Sequence, residues 1–217
     1  MIFQGNPAVI RTNKPRPGAF EIKEKKLDRT FHYDIMAEIK ERWLPRAFSG
    51  EKIARDDILA LLEAARYAPS CFNEQPWRFL IADGKASLVK MRGCLTPSNR
   101  EWAAAAPVLL LIAAEKRFAL DERDNYWHMF DTGTAWGYLS LEAQRRGLIT
   151  HAMGGFSRAG AHEAFNIPDN LDIITIVAVG RSGNKSALSE SLQEREQPAT
   201  RKETEELLLD NTTGETL

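Results

Sequence analysis

The chain predicts a mixed α/β domain in which one sheet is covered by helices on both faces. Three observations carry that expectation. Pro107–Ala114 is almost wholly apolar, and Ile173–Gly180 is a second continuous apolar run rich in β-branched residues. Runs of that length suit strands buried on both sides. Segments with helical spacing of apolar residues lie before, between and after them. The strand order does not follow from this pattern.

Residues 1–30 read as an N-terminal arm, with Arg11–Gly18 polar and carrying two prolines, which favours extended backbone. Residues 31–217 form the domain. A first helix is expected from about Tyr33 to Arg42, with Ile35, Met36, Ile39 and Trp43 at helical spacing and Pro45 ending it. A second runs from about Ala54 to Tyr67; Asp56 and Asp57 sit in its first turn, where negative charge suits the helix dipole. Ile58, Leu59, Leu61, Leu62 and Ala65 give it a wide apolar face.

The loop Ala68–Trp77 is the most informative stretch. Pro69 biases Ala68 away from helical geometry, and Pro76 is expected to keep Gln75 extended. Between them stand Ser70, Asn73 and Gln75, polar groups presented between two core elements, which suits a flat polar ligand. Alone, the stretch also reads as a plain helix-to-strand connector. A strand Arg78–Ala82 follows, then a helix Lys85–Cys94 with Leu88 and Met91 inward.

After the Pro107–Ala114 strand, Asp131–Arg146 reads as a central helix, with Asp131 and Thr132 as caps and Gly147 as terminator. Its small residues, Gly133, Ala135, Gly137, Ser140 and Ala143, suit either core packing or the close approach of a partner subunit. Gly160–Phe165 suggests a short helix closed by Ile167-Pro168, before the Ile173–Gly180 strand. From about residue 181 the chain is polar, with Leu188, Leu192 and Leu207 to Leu209 as its few apolar positions. Such a tail stays disordered unless it packs on something. A neighbouring subunit is a natural surface for it.

Composition narrows the function. With 43% hydrophobic and 27% charged residues the chain fits a soluble globular protein. Its 29 basic and 30 acidic residues leave no electrostatic footprint for nucleic acid or an anionic membrane. The longest apolar run, Trp102 to Ala114, is too short to span a bilayer. The opening Met1–Pro7 has neither a charged flank nor an apolar core, so no signal peptide is expected and a cytoplasmic location is. Cys71 and Cys94 lack zinc-type spacing, and His32, His128, His151 and His162 form no ligand pattern. No Gly-x-Gly-x-x-Gly, Walker loop or Gly-x-Ser-x-Gly elbow is present.

What remains is scattered: Arg42 and Arg46 about Pro45, the Ser70–Gln75 loop, Met153-Gly154-Gly155-Phe156, and Arg201-Lys202 in the tail. Individually these read as a solvated helix end, a connector and a turn. Together and in this order they resemble the nitroreductase family of flavoenzymes, from about His32 to Leu209. The matches are Arg42-Trp-Leu-Pro-Arg46-Ala-Phe48, then Ala64–Phe79, then Gly147–Phe156 with Ile167-Pro168, then Val177–Gly180. The second is the most specific.

The resemblance implies an α+β fold around a central, mostly antiparallel sheet flanked by helices. It implies a homodimer with an exchanged C-terminal tail, and FMN held at the dimer interface. NADH or NADPH would be the electron donor and a nitroaromatic or quinone a typical small acceptor, in a ping-pong hydride mechanism. No side chain acts as nucleophile, because the cofactor carries the chemistry. Arg42 and Arg201 are expected on the FMN phosphate, whose charge suits a guanidinium fork. Arg46 is expected near the N1/O2 edge of the ring, stabilising charge that develops on reduction. Ser70, Cys71 and Asn73 would reach the ring or ribityl chain from the opposite subunit. Met153 would lie against the ring, with Gly154 and Gly155 bringing backbone N–H groups close. The same scaffold also supports dehalogenation, flavin fragmentation, or flavin binding with little turnover.

Two departures stand out. The family's opening motif is usually Arg-Arg-Ser, and here it reads Arg42-Trp43-Leu44. A cation and a hydroxyl are missing, leaving Trp43 and Leu44 to contribute backbone N–H groups. One lost charge-assisted hydrogen bond is worth roughly 1.5–3 kcal/mol, about one to two orders of magnitude in affinity. There is also no room between Ala114 and Asp131 for the long helical insertion of some members. Phe118 to Phe130, with Tyr126, Trp127 and Phe130, is left to cover the site or to serve in core or dimer packing.

Overall fold

A computed structural model of the chain describes residues 29–214. The expected features of Arg11–Gly18 lie outside the described residues. Four strands, β1 (Trp77–Ala82), β2 (Val108–Glu115), β3 (Ile149–Met153) and β4 (Leu171–Gly180), form one sheet in the order β1-β2-β4-β3. Every neighbouring pair is antiparallel. The two apolar runs are the two inner strands, as their lack of alternation requires, since an inner strand with helices above and below exposes neither face.

Alternate residues of β2 serve two cores. Leu109, Leu111 and Ala113 meet Met91, Trp102 and Ala161, from α3 (Lys85–Cys94), α4 (Pro97–Ala103) and α6 (Arg158–Phe165). Val108, Leu110 and Ile112 meet Ile58 and Leu61 of α2 (Arg55–Arg66) and Ala135, Leu139 and Ala143 of α5 (His128–Arg145). The fold is α+β, with a fully antiparallel sheet sandwiched between helical layers.

Several expectations hold closely. Helix α3 spans Lys85–Cys94 with Met91 buried, and α2 falls within one residue of the expected ends. Gly147 takes φ +67° just after α5 and its N–H bonds to the Gln144 carbonyl, closing the helix.

Others need correction. Helix α1 covers only Ala37–Glu41 and buries no residue. Its Ile35, Met36 and Ile39 stripe is exposed, so no packing within the described chain extends it. Helix α5 starts at His128, with Trp127 at the N-cap; Asp131 and Thr132 are buried inside it rather than capping it. Gln75 has φ +52° instead of an extended backbone. Its N–H bonds to Ser70 Oγ and its Nε2 to the Asn73 carbonyl, and this local turn overrides the bias from Pro76. Helix α4 and strand β3 were not expected. Trp102 and Ala103, at the start of the apolar run that continues through Pro107, are buried in α4.

The tail packs in part on its own domain. Residues after β4 fold back on their own chain through α7 (Glu190–Glu194), whose Leu192 is buried in the core with Leu188 packed against it. Leu207, Leu208 and Leu209 are exposed.

Candidate functional site

The segment after α1 is the first component. Pro45, Ala47 and Phe48 are buried, while Arg42, Trp43 and Arg46 are partly exposed and Leu44 is exposed. Phe48 pairs with Ser182 in a short antiparallel bridge; Ser49 N–H bonds to the Arg181 carbonyl and Gly183 N–H to the Ala47 carbonyl. Glu196 completes the clamp. Its carboxylate accepts the Arg46 N–H at 2.9 and 3.0 Å and the Ala47 N–H at 2.9 Å. The Arg46 side chain donates to the Arg195 carbonyl at 3.3 Å.

His151 on β3 supports the same turn. Its Nδ1 lies 2.9 Å from the Pro45 carbonyl, which can only accept, so Nδ1 carries the proton. The ring packs on Trp102 with centroids 4.5 Å apart. Burial pushes its pKa from the ordinary 6.5 to about 4, against the Pro45 carbonyl and with the Arg46 charge. His151 is therefore neutral, packed against Trp102 and bonded to the Pro45 carbonyl.

Arg42 and Arg201 come together although 159 positions (201 minus 42) separate them in sequence. Burial and then the Arg201 charge hold Arg42 below its ordinary range. Arg201 Nη1 donates to the Ala199 and Thr200 carbonyls. A third guanidinium, Arg29, stands beside them; its pKa falls through burial, then Arg201, then Arg42. Its Nη1 donates to the carbonyls of Lys40 at 3.2 Å and Arg42 at 2.9 Å. Among the described residues no acid pairs with any of the three. Like charges gathered in this way favour an anion, and the planar donor set suits a phosphate. Sequence reading assigned Arg29 to the arm. An arginine in a basic, polar stretch carries no signal of its own.

The Ser70–Gln75 loop forms a 3-10 turn at Cys71–Asn73, with Phe72 and Asn73 at positive φ. Cys71 N–H bonds to the buried Asp131 carboxylate at 3.0 Å, which fastens the loop to the first turn of α5. Ser70 Oγ is engaged by the Gln75 N–H, while Asn73 is exposed. Beside this loop lies an open cavity of about 400 Å³, lined by Cys71, Phe72, Phe118, Tyr126 and Trp127. Phe118 is buried, Tyr126 and Phe130 are exposed, and the Trp127 and Phe130 rings meet edge-on at 6.1 Å.

Met153 ends β3 with its side chain in the core rather than at the surface where a ring could lie against it, so the outward-facing residue there is Gly154. Gly154 is exposed, and a Cβ on it would meet nothing within 4 Å. At Gly155 a Cβ would lie 2.7 Å from Asn99 Nδ2 and 3.0 Å from Thr96 Oγ1. Its carbonyl takes hydrogen bonds from Asn99 Nδ2 and Thr96 N–H, so Gly155 packs inward while Gly154 leaves surface free. The remaining histidines play structural parts. His128 lies between the Asn125 carbonyl and Asp172, His162 faces the Ile167 carbonyl, and His32 pairs with Glu203 on the surface.

The chain thus combines a layered antiparallel domain with clustered arginines at one place and an anchored polar loop at another. The chain belongs to the nitroreductase family, whose model matches residues 39–95 and 90–181. It is 29% identical over 173 residues to an iodotyrosine deiodinase of Thermotoga neapolitana, covering 68% of this chain and 87% of that protein. It is 27% identical over 139 residues to an Archaeoglobus fulgidus protein provisionally named NADH dehydrogenase/NAD(P)H nitroreductase, covering 62% of this chain and 78% of the relative. A solved structure described as an oxidoreductase containing FMN superposes with a TM-score of 0.82 at 32% identity, over 86% of this chain and 96% of that one. Among the described residues no helix is long and apolar enough to cross a membrane.

Proposed function

We propose that the chain is an FMN-dependent oxidoreductase that works as a homodimer, passing electrons from NADH or NADPH to a small acceptor such as a nitroaromatic or quinone. The observation that carries the reading is the gathering of Arg42 and Arg201 with Arg29, which bonds the Arg42 carbonyl at 2.9 Å, with no acid paired to any of the three among the described residues. The FMN-containing structural relative and the NAD(P)H-named relative support it. Bound FMN supplies the hydride relay between donor and acceptor.

The residues then have separate tasks. Arg42 and Arg201 hold the phosphate end. Arg46, with its backbone fixed by Glu196, offers a positioned positive charge to the ring. Trp43 and Leu44 offer backbone N–H groups in place of the missing cation and hydroxyl. Gly154 leaves room for a flat group to approach the backbone. Ser70, Cys71 and Asn73, on a loop anchored by Asp131, face the partner subunit's cofactor. Location in the cytoplasm accords with two free cysteines, Cys71 and Cys94.

The dimer draws on the exposed face of α5. Phe130 and Tyr138 are exposed there, and a Cβ on Gly133 or Gly137 would meet nothing within 4 Å. The exposed α1 stripe and Leu207 to Leu209 provide further apolar surface. A covered dimer seam accounts for all three better than a monomer does.

The absorbance spectrum of the purified protein tests the reading. Flavin bands, or bands gained on adding FMN, are expected, with NADH or NADPH oxidation when a nitroaromatic is present. A colourless protein indifferent to FMN ends it. Reductive dehalogenation is the second reading, supported by the Thermotoga relative, and release of iodide from an iodinated phenol distinguishes it.

A further inference from the structure

We infer that Arg29, from the segment before α1, is a third arm of the phosphate grip and supplies the cation that Arg42-Trp43-Leu44 lacks. The inference rests on the FMN reading above and deepens it. One edge of the Arg29 guanidinium is fixed: Nη1 donates to the Lys40 and Arg42 carbonyls. Those two bonds set the plane of the fork against the backbone of Arg42. The other edge is idle. Nε and Nη2 are both shielded from solvent and have no hydrogen-bond partner among the described residues.

An Nε–Nη2 edge is the pair of parallel N–H donors that matches two oxygens of a phosphate or carboxylate. Leaving two buried charged donors unsatisfied is costly, and an anion between them and the neighbouring guanidiniums removes that cost. The basicity of Arg29 is depressed by burial first and then by Arg201 and Arg42, and an anion at the cluster would relieve the two charge contributions. The tail comes to the same place: His32 meets Glu203 at 3.3 Å, two residues beyond Arg201. Arg29 lies ten positions before the first residue matched by the family model (39 minus 29), outside the motif from which the phosphate grip is read.

Riboflavin has the ring and ribityl chain of FMN but no phosphate, which makes it the control. Dissociation constants of the full-length protein for FMN and riboflavin are measured by quenching of flavin fluorescence, for wild type, Arg29→Gln and Arg29→Lys. The inference expects Arg29→Gln to weaken FMN about 10- to 100-fold with riboflavin unchanged, as loss of one charge-assisted contact implies. Arg29→Lys, which keeps the charge and loses the fork, falls between. A purely structural Arg29 weakens both flavins equally, and an unchanged FMN-to-riboflavin ratio in Arg29→Gln overturns the inference while leaving the FMN reading intact. Wild-type protein that binds neither flavin removes both.

Discussion

Glu196 holds the backbone of Arg46 across 150 positions of sequence, with both carboxylate oxygens on one N–H, 2.9 and 3.0 Å away. The arginine expected at the ring edge is thus placed by an acid in the tail rather than by its own neighbours. That acid is buried and spends its charge on two backbone donors, those of Arg46 and Ala47. Glu196→Ala strands both donors, so a loss of about 1–3 kcal/mol is expected. Glu196→Gln, which keeps one acceptor, costs less. Urea denaturation checks both, and a variant as stable as wild type contradicts the clamp.

Arg46 itself is expected to matter more for rate than for affinity. A charge aimed at a reduced ring acts where negative charge develops, which is not the ground state. Arg46→Ala should slow flavin reduction in stopped-flow by about 10- to 100-fold, the cost of one charge-assisted contact. FMN dissociation should change only slightly. Reduction at the wild-type rate would show that the guanidinium serves elsewhere.

The neutral His151 makes stability depend on pH. Its folded pKa, about 4, lies below the ordinary 6.5. As pH falls, the unfolded chain takes up the proton first, so the contribution is full above about 6.5, declines toward 4 and is constant below. Its size is about 3 kcal/mol at most. His151→Asn lacks the titration. Unfolding free energies of the two proteins, measured from pH 7 to pH 4.5, should therefore converge; parallel curves would contradict the assignment.

Gly154 and Gly155 are adjacent and are expected to respond oppositely to alanine. Gly154→Ala meets only open space, so stability should stay within about 0.5 kcal/mol while FMN binding weakens. Gly155→Ala drives a methyl into Asn99 and Thr96 and disturbs their bonds to its carbonyl, at a cost of about 1–3 kcal/mol. Thermal melts and flavin titrations of both variants separate the cases.

Assembly is tested on α5. Tyr138→Glu places a charge on the exposed face without touching either core, where Tyr138 is 42% exposed. The variant should sediment as a monomer and lose flavin together with the dimer. A wild type that sediments as a monomer with flavin bound contradicts the shared site.

Much of the domain was legible because its strongest signals are local. The inner strands β2 and β4 announce themselves by continuous apolar runs, and α3 by its apolar spacing. Strand β3 did not, since Ile149-Thr-His-Ala-Met153 mixes polar and apolar residues and owes its place to pairing with β4. Gln75 shows the same limit at one residue, where a Ser70 hydroxyl outweighed the following proline. Of the candidate residues, Arg42 and Arg201 could be named from motif order alone. Arg29 and Glu196 could not, because each acquires its role from a contact with the Arg42–Ala47 segment that only the folded chain makes.

The distance between Arg46 and Glu196 along the chain also sets an order of events during synthesis. At roughly 5–20 residues per second, the ribosome delivers Glu196 about 8–30 seconds after Arg46. All four strands have been translated before Glu196, because β4 ends at Gly180. A nascent chain can therefore have its sheet, and the His151 and Arg181–Gly183 contacts to the Pro45–Ser49 backbone, before the carboxylate that caps the Arg46 and Ala47 N–H groups has been made.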